Sequence, residues 1–228
     1  MTRTILAITG DDRTAFLQDL VTNDVTRPDH LTYAALLTPQ GKYLADFFTF
    51  HDDQRLLVDV DSALADGLSQ RLSMYRLRRK VGIETTDLQV RRGTGPAPEG
   101  AYPDPRHPDL GWRLYGTEQG DDGTDWDALR VALTVPETGI ELEPNESFIL
   151  EMGLDRLNGI DFRKGCYVGQ EVTARMKHKT ELKKGLVTVT VDGSAPAGTP
   201  ITAADRPVGT LYTQSGGRGL AWLRSARA

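Results

Sequence analysis

The sequence predicts an α+β protein, on three observations. Its first third reads strand, helix, strands, helix, strand, which is not the alternation of a doubly wound sheet. From Gly93 to Pro108 the composition shifts to Gly, Pro and Ala, the marks of a linker or surface loop. After Gly185 the pattern is all strand, with Gly-rich turns at Asp192-Gly193 and Gly216-Gly217.

Taken in order, Ile5 to Ile8 is a short strand closed by Thr9-Gly10. Asp11 or Asp12 then caps a helix whose apolar stripe is Phe16, Leu17, Leu20 and Val21. Tyr33 to Leu37 and Leu44 to Phe50 are strands around the turn Thr38-Pro39-Gln40-Gly41-Lys42, and Leu56 to Val60 is a third. Asp61 or Ser62 caps the next helix, where Leu64, Leu68 and Leu72 recur every fourth residue. Helices are expected from about Asp125 to Ala132 and near Ser147 to Leu157, with a loop from Pro136 to Pro144 between them. In the second, Leu150, Leu154 and Leu157 face inward, while Glu146, Glu151 and Asp155 form the wet face. Leu186 to Val191, Pro200 to Thr202, Val208 to Thr213 and Gly219 to Leu223 make a small β-barrel. Two domains are therefore expected, 1–183 and 184–228, the first divisible near 93–125. The second is too small to stand alone and should pack on the first.

Composition narrows the function. The 228 residues are 39% hydrophobic and 26% charged, ordinary values for a globular protein, so disorder is not expected. A net charge of −5 argues against bulk nucleic-acid or membrane-surface binding. No run approaches the roughly 20 apolar residues that span a bilayer, and Met1 to Gly10 lacks the form of a signal peptide. A cytoplasmic location is expected. The one cysteine, Cys166, excludes an internal disulfide, and His30, His51, His107 and His178 show no ligand spacing, so no metal site is expected from this chain alone. Neither a Gly-x-Ser-x-Gly elbow nor a Walker sequence is present, and Gly93-Thr94-Gly95-Pro96 opens no helix onto which a phosphate could bind.

The most specific segment begins at Asn158. Gly159 and Gly165 flex a loop, and Gly169 precedes a helical run from Gln170 to Met176. Cys166 stands close to that helix N-terminus, directly after Arg163 and Lys164. Both features favour a thiolate, while a buried, inert thiol is the alternative reading of a lone Cys.

Lys164-Gly165-Cys166-Tyr167-Val168-Gly169-Gln170-Glu171, followed by Val172-Thr173-Ala174-Arg175, resembles the signature of the YgfZ family, relatives of the glycine-cleavage T-protein that include mitochondrial iron–sulfur assembly factors. The resemblance extends to Gly159-Ile160-Asp161-Phe162 and Met176-Lys177-His178-Lys179. It continues upstream in Ile8-Thr9-Gly10-Asp11, Phe16-Leu17-Gln18, Thr22-Asn23-Asp24-Val25 and Leu37-Thr38-Pro39-Gln40-Gly41-Lys42, then in Tyr75-Arg76-Leu77-Arg78 and in Gly219-Leu220-Ala221-Trp222-Leu223 near the end. Only 93–125 shows nothing specific.

The resemblance implies a T-protein-like fold that binds tetrahydrofolate in a central cavity and serves iron–sulfur proteins or their assembly factors. On that reading Cys166 supplies a thiolate, and Lys164 and Arg175 set the local positive potential. Tyr167, Gln170 and Glu171 line the cavity. Trp126 aligns with an aromatic that stacks on folate in some relatives, or is an ordinary interface Trp. Arg78, within the run Arg76 to Lys80, holds the folate tail, or belongs to a solvated helix end. Two departures disfavour aminomethyl transfer: Ala45-Asp46 replaces a pair of acidic residues, and Arg130-Val131-Ala132-Leu133-Thr134 lacks the carboxylate that reads the pterin. If transfer occurred, Asp46 would orient the donor amine. The remaining alternative is a non-catalytic docking scaffold.

Overall fold

The computed structural model describes residues 2–179 and 182–224, so Met1 and positions 180–181 and 225–228 of the expected domains lie outside the described residues. A five-stranded antiparallel sheet forms the centre, built from β1 (Arg3–Thr9), β2 (Thr32–Leu37), β3 (Tyr43–His51), β4 (Leu56–Asp61) and β5 (Gly82–Thr85) in the order β2-β3-β4-β1-β5. Strands β2, β3 and β4 are buried on both faces, so they read as nearly continuous apolar runs. Leu6, Ile8, Ala34, Leu36 and Phe47 face one core. Ile5, Ala7, Tyr33, Ala35 and Phe48 face the other.

Two helices cover the first face. In α2 (Ser62–Tyr75), Ala65, Leu68 and Leu72 are buried, and the Asp61 carboxylate caps the Ala63 N–H at 2.8 Å. The shorter α1 (Arg13–Gln18) lacks its expected cap. Asp12 sits at the N-cap position, but its carboxylate accepts from the Lys80 N–H at 2.8 Å instead. Leu20 and Val21 lie beyond the end of α1 yet remain buried, because the chain there runs along the free edge of β2. Val21 bridges Leu36, and the Thr22 N–H reaches the Ala35 carbonyl. That segment covers an edge strand that would otherwise present unpaired backbone.

The other face carries a layer absent from the sequence reading. β6 (Gln89–Gly93), β7 (Tyr102–Pro103), β8 (Trp112–Gly116) and β9 (Gly120–Asp121) form a small sheet in the order β7-β8-β6-β9. The expected linker at 93–108 is therefore part of a folded layer. Tyr115 stacks on Phe50 at 4.0 Å between ring centroids, which seats this layer on the central sheet. Next come α3 (Trp126–Leu133), capped by Asp125, and an irregular stretch from 134 to 169. The helix expected near Ser147 to Leu157 is a series of turns, with Gly153 at φ +75°. A continuous helix excludes that dihedral. Leu150, Leu154 and Leu157 are nonetheless buried, as expected.

After α4 (Gln170–Lys179), the strands β10 (Lys184–Thr190), β11 (Thr199–Ala203), β12 (Arg206–Ser215) and β13 (Arg218–Arg224) form the C-terminal antiparallel sheet in the order β10-β13-β12-β11. It packs on the rest through α3. Arg130 reaches Thr213 at 2.8 Å, Thr188 donates to the Val131 carbonyl at 2.9 Å, and the Trp222 indole donates to Glu151 at 3.1 Å.

Candidate functional site

The motif segments that lie far apart in sequence collect around the loop at 158–169. Thr22 Oγ1 donates to the Gly159 carbonyl at 2.7 Å, Asn23 Nδ2 donates to the Asn158 carbonyl at 2.6 Å, and the Asp161 N–H reaches the Thr22 carbonyl. The Lys164 ammonium donates to three backbone carbonyls, those of Gln18, Val21 and Asn23, at 2.6, 2.5 and 3.0 Å. It thus satisfies the carbonyl end of α1 and fixes the loop on the segment that covers β2. Burial pushes this ammonium down to about 8, against the pull of Asp24, Asp19 and Asp161.

Two glycines let the loop close. Gly169 has φ +84°, and a Cβ there would lie 2.7 Å from the Thr38 carbonyl oxygen. Gly41 has φ +76°, and a Cβ there would lie 2.8 Å from the Val172 side chain. The β2–β3 turn and the start of α4 therefore pack backbone against backbone, a contact open only to glycine.

Between these anchors Cys166 is exposed, not the buried thiol of the alternative reading, two residues after the Lys164 tether and four before α4. Several basic side chains stand on the same loop and on α4. The Arg163 side chain is exposed, Arg175 is exposed on α4, and Lys177 pairs with Asp155 at 2.8 Å beside the exposed ring of Phe162. The arrangement presents one exposed thiol on a restrained loop.

The other predicted residues are dispersed. Lys164 is committed to carbonyls, so it is a tether rather than a cavity group. Tyr167 is buried in the core, and burial raises its phenol pKa. Gln170 is half-buried at the start of α4, and Glu171 beside it is exposed. Arg78 is exposed in the turn after α2, on one side of the central sheet, whereas Trp126 belongs to the layers on the other side. Trp126 stacks against Arg92, whose guanidinium lies 4.0 Å from the ring centroid. Asp46 is buried and accepts hydrogen bonds from Tyr33, Tyr43 and Thr138 at 2.9, 2.7 and 2.6 Å.

Sequence reasoning missed a chain of buried charge between the central sheet and the small sheet. Asp59 accepts from Arg3 at 2.6 Å, Arg113 at 3.1 Å and Tyr115 at 2.9 Å. Arg113 continues to Asp104 at 3.3 Å, and Asp104 holds Arg106 through a two-bond fork at 3.0 and 2.8 Å. Burial would raise the Asp104 pKa, but Arg106 and Arg113 outweigh it and hold the carboxyl down to about 2. Arg113 also lies 3.8 Å from the Phe48 ring centroid. The available signal was the spacing of Arg113 and Tyr115 on β8, which places both on one strand face.

A family model, the C-terminal beta-barrel domain of CAF17, matches residues 183–228. The chain is 31% identical to the mitochondrial iron–sulfur cluster assembly factor IBA57 of Homo sapiens, covering 99% of this chain and 76% of that protein. The Mus musculus factor of the same name is 30% identical, with 98% and 76% covered. The Mycosarcoma maydis homolog is 32% identical, with 98% and 63% covered. Among solved structures, glycine cleavage system aminomethyltransferase T from Bartonella henselae superposes with a TM-score of 0.60 over 97% of this chain and 76% of that one. At 10% identity it shows the fold alone, and that fold is the expected T-protein-like one. The expectation of a cytoplasmic location is overturned by the relatives' names, which place them in mitochondria. No helix among the described residues is long and apolar enough to cross a membrane.

Proposed function

The chain belongs to the IBA57 family of iron–sulfur cluster assembly factors, and from that premise we propose that it acts in cluster assembly or repair through the Cys166 loop. The observation that carries this reading is an exposed thiol on a loop pinned by the Lys164 ammonium to three carbonyls. A thiolate is a soft ligand suited to the iron of a cluster, or a nucleophile toward a bound sulfur species. Iron–sulfur clusters are commonly held by four thiolates, and this chain has one cysteine. The remaining ligands must come from a client, an assembly partner or a small thiol, with the cluster as cargo. Arg163, Arg175 and Lys177 suit a partner with an acidic docking face.

Reduced folate enters no step of this proposal. Lys164 is spent on carbonyls and Tyr167 is in the core, so the proposal assigns neither to a ligand. Aminomethyl transfer likewise lacks support, because three hydroxyls already hold Asp46 in a buried setting.

The test is complementation of a strain deficient in this assembly step. Cys166→Ser should fold normally and fail to restore iron–sulfur enzyme activity, since a hydroxyl stays protonated and is not a soft ligand. Full complementation by the serine protein would remove the thiol from the mechanism and leave a docking role for the same surface.

A further inference from the structure

A cleft of about 290 Å³ opens where the start of β1 meets the small sheet, far in sequence from the Cys166 loop. Its walls include Thr2, Arg3, Arg92, Arg113, Gln119 and Asp121. Three arginines and one aspartate thus contribute to the cleft wall. Behind the wall, Arg3 and Arg113 share the fully buried Asp59, and Arg113 shares Asp104 with Arg106. Arg92 differs from its neighbours. Among the described residues it has no carboxylate within ion-pair distance, although Asp121 and Glu137 act on it from farther away. Burial, and then the Arg113 charge, push its guanidinium down to about 10. Stacking on Trp126, at 4.0 Å from the ring centroid, restrains the group.

A half-buried guanidinium without a bonded anion, beside two others that already share theirs, leaves a site deficient in negative charge. The planar fork of Arg matches carboxylate and phosphate oxygens two at a time. Thr2 and Gln119 add neutral polar groups to the same walls. The volume lies at the lower end of small-molecule pockets, which limits the occupant to a compact group.

We infer that this cleft is a binding site for a small oxyanion ligand, one bearing carboxylate or phosphate groups, with Arg92 as its principal contact. The site is independent of the Cys166 reading and uses none of its residues.

Calorimetric titration of the full chain at low salt tests this, with pyrophosphate in one arm and citrate in the other. At least one probe should bind once per chain with a Kd below about 1 mM and weaken as ionic strength rises. Pyrophosphate alone would mark a phosphate site, citrate alone a carboxylate site, and both a site that reads charge. Arg92→Gln should weaken the bound probe roughly tenfold through loss of a charge-assisted fork. If circular dichroism shows that this variant does not fold, Gln119→Glu carries the test, because Gln119 is exposed at the rim and a carboxylate there should repel the probe. The inference is overturned if neither probe binds below about 10 mM, or if the folded variant leaves the affinity within twofold.

Discussion

The fold treats the Cys166 loop and the Arg3–Asp59–Arg113–Asp104 network in opposite ways. In the network the carboxylates are buried and each is held by at least two donors. Such groups have no bonding capacity to spare, and they join two sheets. In the loop the thiol is exposed, and the neighbouring hydrogen bonds fasten the backbone on either side of it. The contrast separates charge used for architecture from a group that architecture presents. Asp46 follows the first pattern, buried and held by the hydroxyls of Tyr33, Tyr43 and Thr138.

The comparison breaks most readily at Asp59. Asp59→Ala would leave Arg3 and Arg113 without their shared carboxylate in a buried setting, and should cost about 3–5 kcal/mol in urea denaturation. A loss near zero would show that the network is not structural.

Acid titration should give the next largest effect. The Asp104 carboxyl sits near 2 in the fold, against 3.8 ordinarily. Its contribution is fully present above pH 3.8 and is lost as pH falls toward 2, amounting to about 2 kcal/mol. Asp104→Asn should be less stable at pH 7 and show a shallower decline across that window.

Lys164→Met sharpens the other half of the comparison. It removes the donor to three carbonyls and should cost about 1–2 kcal/mol globally. Backbone amides of 158–169 should also exchange hydrogen faster than those of the central sheet. Unchanged exchange in the loop would show that Lys164 does not restrain it.

Cys166→Ser should have the smallest effect on stability, about 0.5 kcal/mol or less, as expected of an exposed side chain. Thermal unfolding measures this. A large destabilisation would place Cys166 with the architectural residues.

The sequence by itself determined the elements whose evidence is local. The β2–β3 hairpin follows from two apolar runs around Thr38-Pro39-Gln40-Gly41-Lys42, α2 from Leu68 and Leu72 behind the Asp61 cap, and the exposed Cys166 loop from its glycines and cations. The small sheet escaped notice because two of its strands have only two residues each and lie among Gly and Pro, too short for any periodicity. The helix expected at 147–157 failed at Gly153, whose left-handed backbone breaks a leucine spacing that does look helical. Only the tertiary structure decided which charges meet. Arg3 and Asp59 are 56 positions apart, and Arg113 and Asp59 are 54 apart. The same holds for Lys164, whose partners are backbone carbonyls more than 140 residues upstream. A backbone carbonyl carries no residue identity, and a long-range ion pair leaves no period in the chain. Both exist only once the sheets have closed and excluded the water that would otherwise solvate them.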